Sequence, residues 1–372
     1  MKRGVEVNRD VFYIAGFDPR SPKYYYSIFK NNINKTSRIE QDKLNLGKLE
    51  NEEVPKFKID YKGAQINYNF LAWNDIVAKH FCKKFFDVFG ALFLFFIGYT
   101  ISGVTYMVAK YSRTQLIAGY YPTIFMLLSY FIIGLICYAI GYFIEFGWFW
   151  IVICLGIVLL GTRIVFYIGQ KAGIFWLLSI YRFCYKYAKG EIDKIDERNE
   201  SFANTIIQSV KDGKADEIMV VAHSVGTILA ISTMAKVIKK CKAQGLSTAN
   251  LKLVLIGGCV PLTSFQKCGD KFKQELEIVA NSDITWLDLS SKIDGACFFM
   301  LDYVKRSGVQ AKRSPKLISV RFFKIYDKKT YKNIRYKWYQ VHFLYLRATQ
   351  ISGGYDYFYM VADPLNLENK TF

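Results

Sequence analysis

Apolar residues are unevenly spread along this chain. They crowd into Phe85 to Gly169, while on both sides short apolar runs are separated by polar connections. Within the crowded block three segments, Phe89 to Ala109, Thr123 to Phe143 and Phe149 to Ile168, each come close to the roughly 20 residues that a membrane-spanning helix requires. Outside it the periods are those of a mixed fold. "VFYIAG" (Val11 to Gly16) reads as a buried strand and "PKYYYSIFKNN" as a short helix opened by Pro22. "KFKIDY" and "AQINYNF" alternate with period two about Lys62-Gly63, the pattern of a hairpin. Phe202, Ile206 and Val210 recur at helical spacing up to Gly213, which reads as a helix stop.

Strands and helices then alternate. The strand "EIMVVA" (Glu217 to Ala222) is followed at once by the helix "GTILAISTMAKVIKK", then the strand "LKLVLIGG", the helix "DKFKQELEIVAN" and the strands "ITWLDL" and "LISVRFF". Such alternation predicts an α/β fold with a mainly parallel sheet flanked by helices. The organisation read from it has three parts: residues 1–84 and 171–372 form one folded domain, and residues 85–170 are a membrane-embedded helical insertion.

Charge sharpens the picture. The chain carries 50 Lys and Arg against 31 Asp and Glu, a net +19. The apolar block holds only Lys110, Arg113, Arg163, Asp87 and Glu145, so the flanks keep a net +18. Basic flanks beside apolar spans stay in the cytoplasm. "MKRGVEVNRDVFYIAGF" lacks the apolar stretch of a signal peptide, which agrees with a cytoplasmic N-terminus. The strands on both sides of the block belong to one sheet, so the chain crosses the bilayer an even number of times. The second and third segments accordingly form a hairpin with Glu145 outside, Trp148 and Trp150 at the outer interface, and Gly134 and Gly156 available for close helix packing. The first segment, broken by Gly98 and Gly103, is then re-entrant or lies along the inner leaflet.

Eight cysteines share no C-x-x-C or metal-like spacing and read as reduced apolar side chains. The net charge raises nucleic acid as a partner, but no recognised binding module is present. "DKKTYKNIRYKWYQ" (Asp327 to Gln340) interleaves lysine, arginine and aromatic residues, as a segment facing anionic lipid headgroups does. A solvated loop fits it equally.

The candidate chemistry centres on "MVVAHSVGTILA". Ser224 stands between an apolar strand and a helix, with Ala222 and Gly226 on either side. A sharp strand-to-helix turn projects a serine hydroxyl from the sheet edge and tolerates only small neighbours, and the helix start below it favours developing negative charge. The stretch resembles the nucleophile turn of the α/β-hydrolase superfamily, usually G-x-S-x-G, with Ala222 replacing the first glycine. The resemblance covers residues 11–16 and 196–350, interrupted by the apolar block. It implies a nucleophile, acid and base in that chain order. Of the three histidines, His80 lies upstream and His223 within the turn, leaving His342 as the implied base. Two aspartates compete for the acid: Asp288 within "ITWLDL", and Asp294 in the loop beyond it, the favoured of the two. The implied oxyanion donors are the amides of Val225 and Phe17, the latter in "YIAGFDPR". Asp18 beside them is expected to turn away and cap the loop before Pro19.

The resulting expectation is a membrane-anchored serine hydrolase facing the cytoplasm, acting on an ester or similar acyl bond of a lipid or other amphipathic substrate. It requires no cofactor or metal, and the sequence names no protein partner. The alternative is a membrane scaffold or binding protein that keeps the fold without turnover.

Overall fold

The computed structural model describes residues 7–144 and 147–372. Glu145, the expected outer turn of the apolar hairpin, lies outside the described residues, as does the start of the N-terminal stretch. The chain divides into two compact units, Met1–Lys79 with Cys184–Phe372, and His80–Phe183.

The first unit is built on an eight-stranded sheet. Its strands are β1 (Val7–Ile14), β2 (Leu44–Leu46), β3 (Lys56–Tyr61), β4 (Ala64–Phe70), β5 (Glu217–His223), β6 (Leu251–Ile256), β7 (Thr285–Ser290) and β8 (Lys316–Ser319). Their spatial order is β2-β3-β4-β1-β5-β6-β7-β8. Only β3 runs against its neighbours, and the six strands from β4 to β8 are mutually parallel. The expected α/β architecture with a mainly parallel sheet is present. The expected hairpin is β3–β4, turning through Lys62 and Gly63 at φ 50 and 85. Two positive φ values give the turn whose twist matches paired strands.

Helices Ile195–Asp212, Gly226–Ala243 and Asp270–Ala280 flank the sheet. The first ends at Gly213 in the left-handed conformation, the stop that its periodicity predicted. β5 and β6 are buried along their whole length, which explains why they read as unbroken apolar runs. "LISVRFF" departs from expectation. The ladder ends where the Val320 amide bonds the Ser290 carbonyl at 2.8 Å, and Phe322–Ile325 then turns helical. Phe322 and Ile325, three residues apart, are buried on one helical face, so core contact overrides their strand propensity.

One polar residue is buried within the first strand. Arg9 donates through Nε to Glu217 at 2.6 Å, through Nη1 to the carbonyls of Val361 (2.7 Å) and Asp363 (2.9 Å), and through Nη2 to that of Leu365 (2.9 Å). The other Glu217 oxygen accepts the Leu367 amide at 2.9 Å. The C-terminal segment is thereby tied to the N-terminal ends of β1 and β5.

In the second unit, helices Arg113–Ile144 and Trp148–Lys171 are long and apolar enough to cross a membrane, with mean hydropathy of 2.3 and 2.5. Leu127, Phe131, Leu155 and Leu159 point outward and exposed, as lipid-facing side chains do. The first apolar segment is not one helix. Phe85–Phe95 runs into a π turn at Phe96–Ile101, Gly103 adopts φ 81, and Val104–Tyr111 follows as a separate helix.

The packing glycine differs from the expected ones. A Cβ on Gly134 or Gly156 meets nothing within 4 Å, whereas one on Gly161 lies 2.7 Å from Ile133 Cδ1. The contact face of the second helix therefore runs through Gly161. The Trp150 indole donates to the Cys137 carbonyl at 2.8 Å and so helps to join the two helices. Gly161→Leu is expected to destabilise the helix pair by roughly 2 kcal/mol, while Gly134→Leu and Gly156→Leu remain near neutral. Thermal melts of the detergent-purified chain check this, and equal losses for all three would rule out the Gly161 contact.

Candidate active site

The parallel strands end in step. Ile14, Ala222, Leu255 and Asp288 are consecutive register partners across β1, β5, β6 and β7, so the loops that follow these strands gather at one edge of the sheet. The carboxyl edge of a parallel sheet is where such folds carry ligand and catalytic groups.

Ser224 follows β5 directly and holds φ 57, in the left-handed region that serine seldom occupies. The surrounding backbone enforces it. The Ser224 amide bonds the Ile256 carbonyl at 3.0 Å, and the Ser224 carbonyl accepts from the Thr227 amide (3.1 Å) and hydroxyl (2.6 Å). A Cβ on Gly226 sits only 2.4 Å from the Ala15 carbonyl oxygen, and one on Gly16 only 2.8 Å from Ser224 Cβ. Glycine is required at both positions because the loop after β1 closes on the turn after β5: Gly226 faces the Ala15 backbone, and Gly16 faces the Ser224 Cβ. Ala222 is a buried strand residue paired with Ile14 and Leu255, where its methyl group is accommodated.

That approach also places the two implied oxyanion donors. Phe17 and Val225 each stand three residues beyond the register pair Ile14 and Ala222. The Phe17 ring is buried against Trp73, whose indole donates to the Ala15 carbonyl at 2.8 Å and holds the loop. Asp18 accepts the Arg20 amide at 3.0 Å, as a loop cap does, and is also clamped by the Arg20 guanidinium and the Tyr25 hydroxyl (2.8 Å). Its negative charge is thus answered locally rather than opposing the donors.

His342 ends the helix Trp338–His342 and is buried. Its Nδ1 lies 2.9 and 3.1 Å from the two oxygens of Asp294. Asp294 sits in the loop after β7 and also accepts from the Ala296 amide (3.0 Å) and the Tyr345 hydroxyl (3.1 Å). Burial pushes its carboxyl up, but the His342 ring and these hydrogen bonds outweigh burial and hold it below the usual range. A carboxylate accepting the Nδ1 proton leaves Nε2 as the nitrogen able to take one.

The competing aspartate is elsewhere. Asp288 lies in β7 and accepts from the Tyr303 hydroxyl at 3.0 Å. Burial raises its pKa to about 7, with the Tyr303 bond opposing.

Two supporting residues carried no assignment in the sequence. His223, inside the turn, donates from Nε2 to the His342 carbonyl at 2.9 Å, with the two rings 4.7 Å apart. It therefore couples the Ser224 turn to His342. Burial and the neighbouring His342 depress its pKa to about 3, so it is neutral at physiological pH. Tyr345 stands three residues after His342, a spacing that puts both on one side of a helical turn and both against Asp294. Among the described residues no group of His, Cys, Asp and Glu is arranged to hold a metal ion. Comparison of the chain with models of known protein families, with curated proteins and with solved structures gives no match.

Asp288 and His223 act in opposite directions on stability. Asp288 ionises near 4 in an unfolded chain but near 7 in the fold. Between those values the folded state binds more protons, so the Asp288 contribution falls as pH rises, by up to about 4 kcal/mol. His223 binds its proton more weakly when folded, so its contribution is full above about pH 6.5 and is lost as pH falls toward about 3. Asp288→Asn should therefore gain melting temperature relative to the parent between about pH 5 and pH 8. A constant difference across that range would show that Asp288 is already ionised.

Proposed function

We propose that this chain is a membrane-anchored serine hydrolase of the α/β-hydrolase kind, cleaving an ester or similar acyl bond of a lipid or other amphipathic substrate. The observation that carries the proposal is the buried Asp294–His342 pair, hydrogen-bonded through His223 to the strained turn that presents Ser224. The order serine, acid, base along the chain is that of the superfamily.

In this mechanism Ser224 Oγ attacks the acyl carbon while His342 Nε2 takes its proton. Asp294 stabilises the imidazolium, and the amides of Phe17 and Val225 stabilise the oxyanion. His342 returns the proton to the leaving oxygen. Water then repeats the sequence on the acyl-enzyme and releases the acid. The two apolar helices support a bilayer-resident substrate, and the net +18 on the flanks supports a site facing the cytoplasm. One observation favours the second reading, a scaffold without turnover: Ser224 is only 4% exposed.

A fluorophosphonate probe separates the two. The detergent-purified chain should label, and Ser224→Ala and His342→Ala should abolish both labelling and ester hydrolysis. Asp294→Asn should lower kcat on the order of ten-thousandfold. Asp288→Asn should stay within about threefold of the parent at neutral pH. Folded protein that never labels would establish the scaffold instead.

A further inference from the structure

The segment that delivers His342 is densely basic. From Arg321 to Arg347 it holds eight basic residues and one acidic residue, Asp327, and all eight basic side chains are exposed. Asp327 is occupied as a helix cap, accepting the Lys329 (2.8 Å) and Thr330 (2.9 Å) amides. Elsewhere lysines such as Lys62, Lys240, Lys252 and Lys271 are paired with carboxylates. Among the described residues none of these eight basic side chains is ion-paired. Beside them stand exposed aromatics: Phe323, Tyr336, Trp338 and Tyr339.

We infer that this collar docks on the anionic headgroups of a phospholipid bilayer. Unpaired cations match a negatively charged leaflet, and amphipathic Trp and Tyr rings settle at the headgroup level. The chain's own apolar helices tether the collar to a bilayer, which favours this occupant over a free polyanion such as RNA. Each basic residue at an anionic surface raises association about fivefold.

Docking also bears on the candidate site, a consequence that rests on the hydrolase proposal. Trp338 and His342 share one short helix, and the Trp338 ring lies 3.5 Å from a Cβ built on Gly295, next to Asp294. The Tyr339 hydroxyl accepts from Arg20 at 3.0 Å, the residue that clamps Asp18. A collar seated on headgroups therefore brings the loop of the acid and the helix of the base to the depth of the acyl–headgroup linkage. The substrate class that follows is a phospholipid or lysophospholipid cleaved at that linkage.

The test uses the full chain in nanodiscs of phosphatidylcholine alone, or with about one-third phosphatidylserine, and reads amide hydrogen exchange. Residues 328–337 should exchange at least about tenfold more slowly with phosphatidylserine present. The protection should vanish in about 1 M salt, where screening acts within about 3 Å. Combined Lys328→Gln, Lys329→Gln, Lys332→Gln and Lys337→Gln should also remove it, leaving the exchange of β5 and hydrolysis of a soluble short-chain ester unchanged. Equal exchange in the two nanodiscs would overturn the proposal. So would protection conferred by a single-stranded RNA in phosphatidylcholine discs with none from phosphatidylserine. Loss of ester hydrolysis in the parent would count against the hydrolase alone, because the exchange readout does not depend on turnover.

Discussion

Backbone contact between two loops governs this architecture. The turn after β5 and the loop after β1 meet so closely that a methyl group on Gly226 would strike the Ala15 carbonyl and one on Gly16 would strike the Ser224 Cβ. Ser224 holds its left-handed conformation because strand pairing on one side and helix hydrogen bonds on the other leave no alternative path. Strain of this kind persists only where the surroundings over-determine it. The central pairing of β1 with β5 is therefore a condition for the turn as well as for the sheet.

A second layer of constraint comes from the opposite half of the chain. Asp294 is fully desolvated, and a lone buried carboxylate is costly, so it requires the His342 ring, the Ala296 amide and the Tyr345 hydroxyl together. His223 then grips the carbonyl of His342 from within the Ser224 turn. Two aspartates six residues apart thus come to opposite electrostatic ends. One is held ionised by its partners; the other, with a single tyrosine hydroxyl, keeps its proton to near neutrality.

Much of this was legible in the chain. The apolar runs of β5 and β6, the Lys62-Gly63 turn and the strand–serine–helix passage each carry a local signal that the structure follows. Other features depend on contacts that no local period encodes. Gly134, Gly156 and Gly161 look alike in a helical pattern, and only the rotational phase of the two helices selects Gly161. Phe322 and Phe323 read as the end of a strand because they are apolar, but the β8 ladder ends before them and they open the short helix Phe322–Ile325. Position along the chain favoured Asp294 over Asp288, but their partners, His342 and Tyr345 for one and Tyr303 for the other, are distant contacts that no local pattern encodes.

Arg9 has a further consequence, one of timing. Its guanidinium is satisfied by carbonyls 352 to 356 residues away. A buried guanidinium stripped of such partners costs several kcal/mol, so β1 cannot settle beside β5 until residues 361–367 have left the ribosome. At about 5–20 residues per second, synthesis of the 352 to 356 residues between Arg9 and its partners takes tens of seconds. The apolar helices at 113–171 emerge long before it ends. Synthesis therefore sets an order: the apolar helices are complete first, and the sheet closes only afterwards. A chain halted before residues 361–367 would carry a β1 already paired with β4 but an Arg9 still without the carbonyls that satisfy it, so the seam between β1 and β5 would be the last part of the sheet to close.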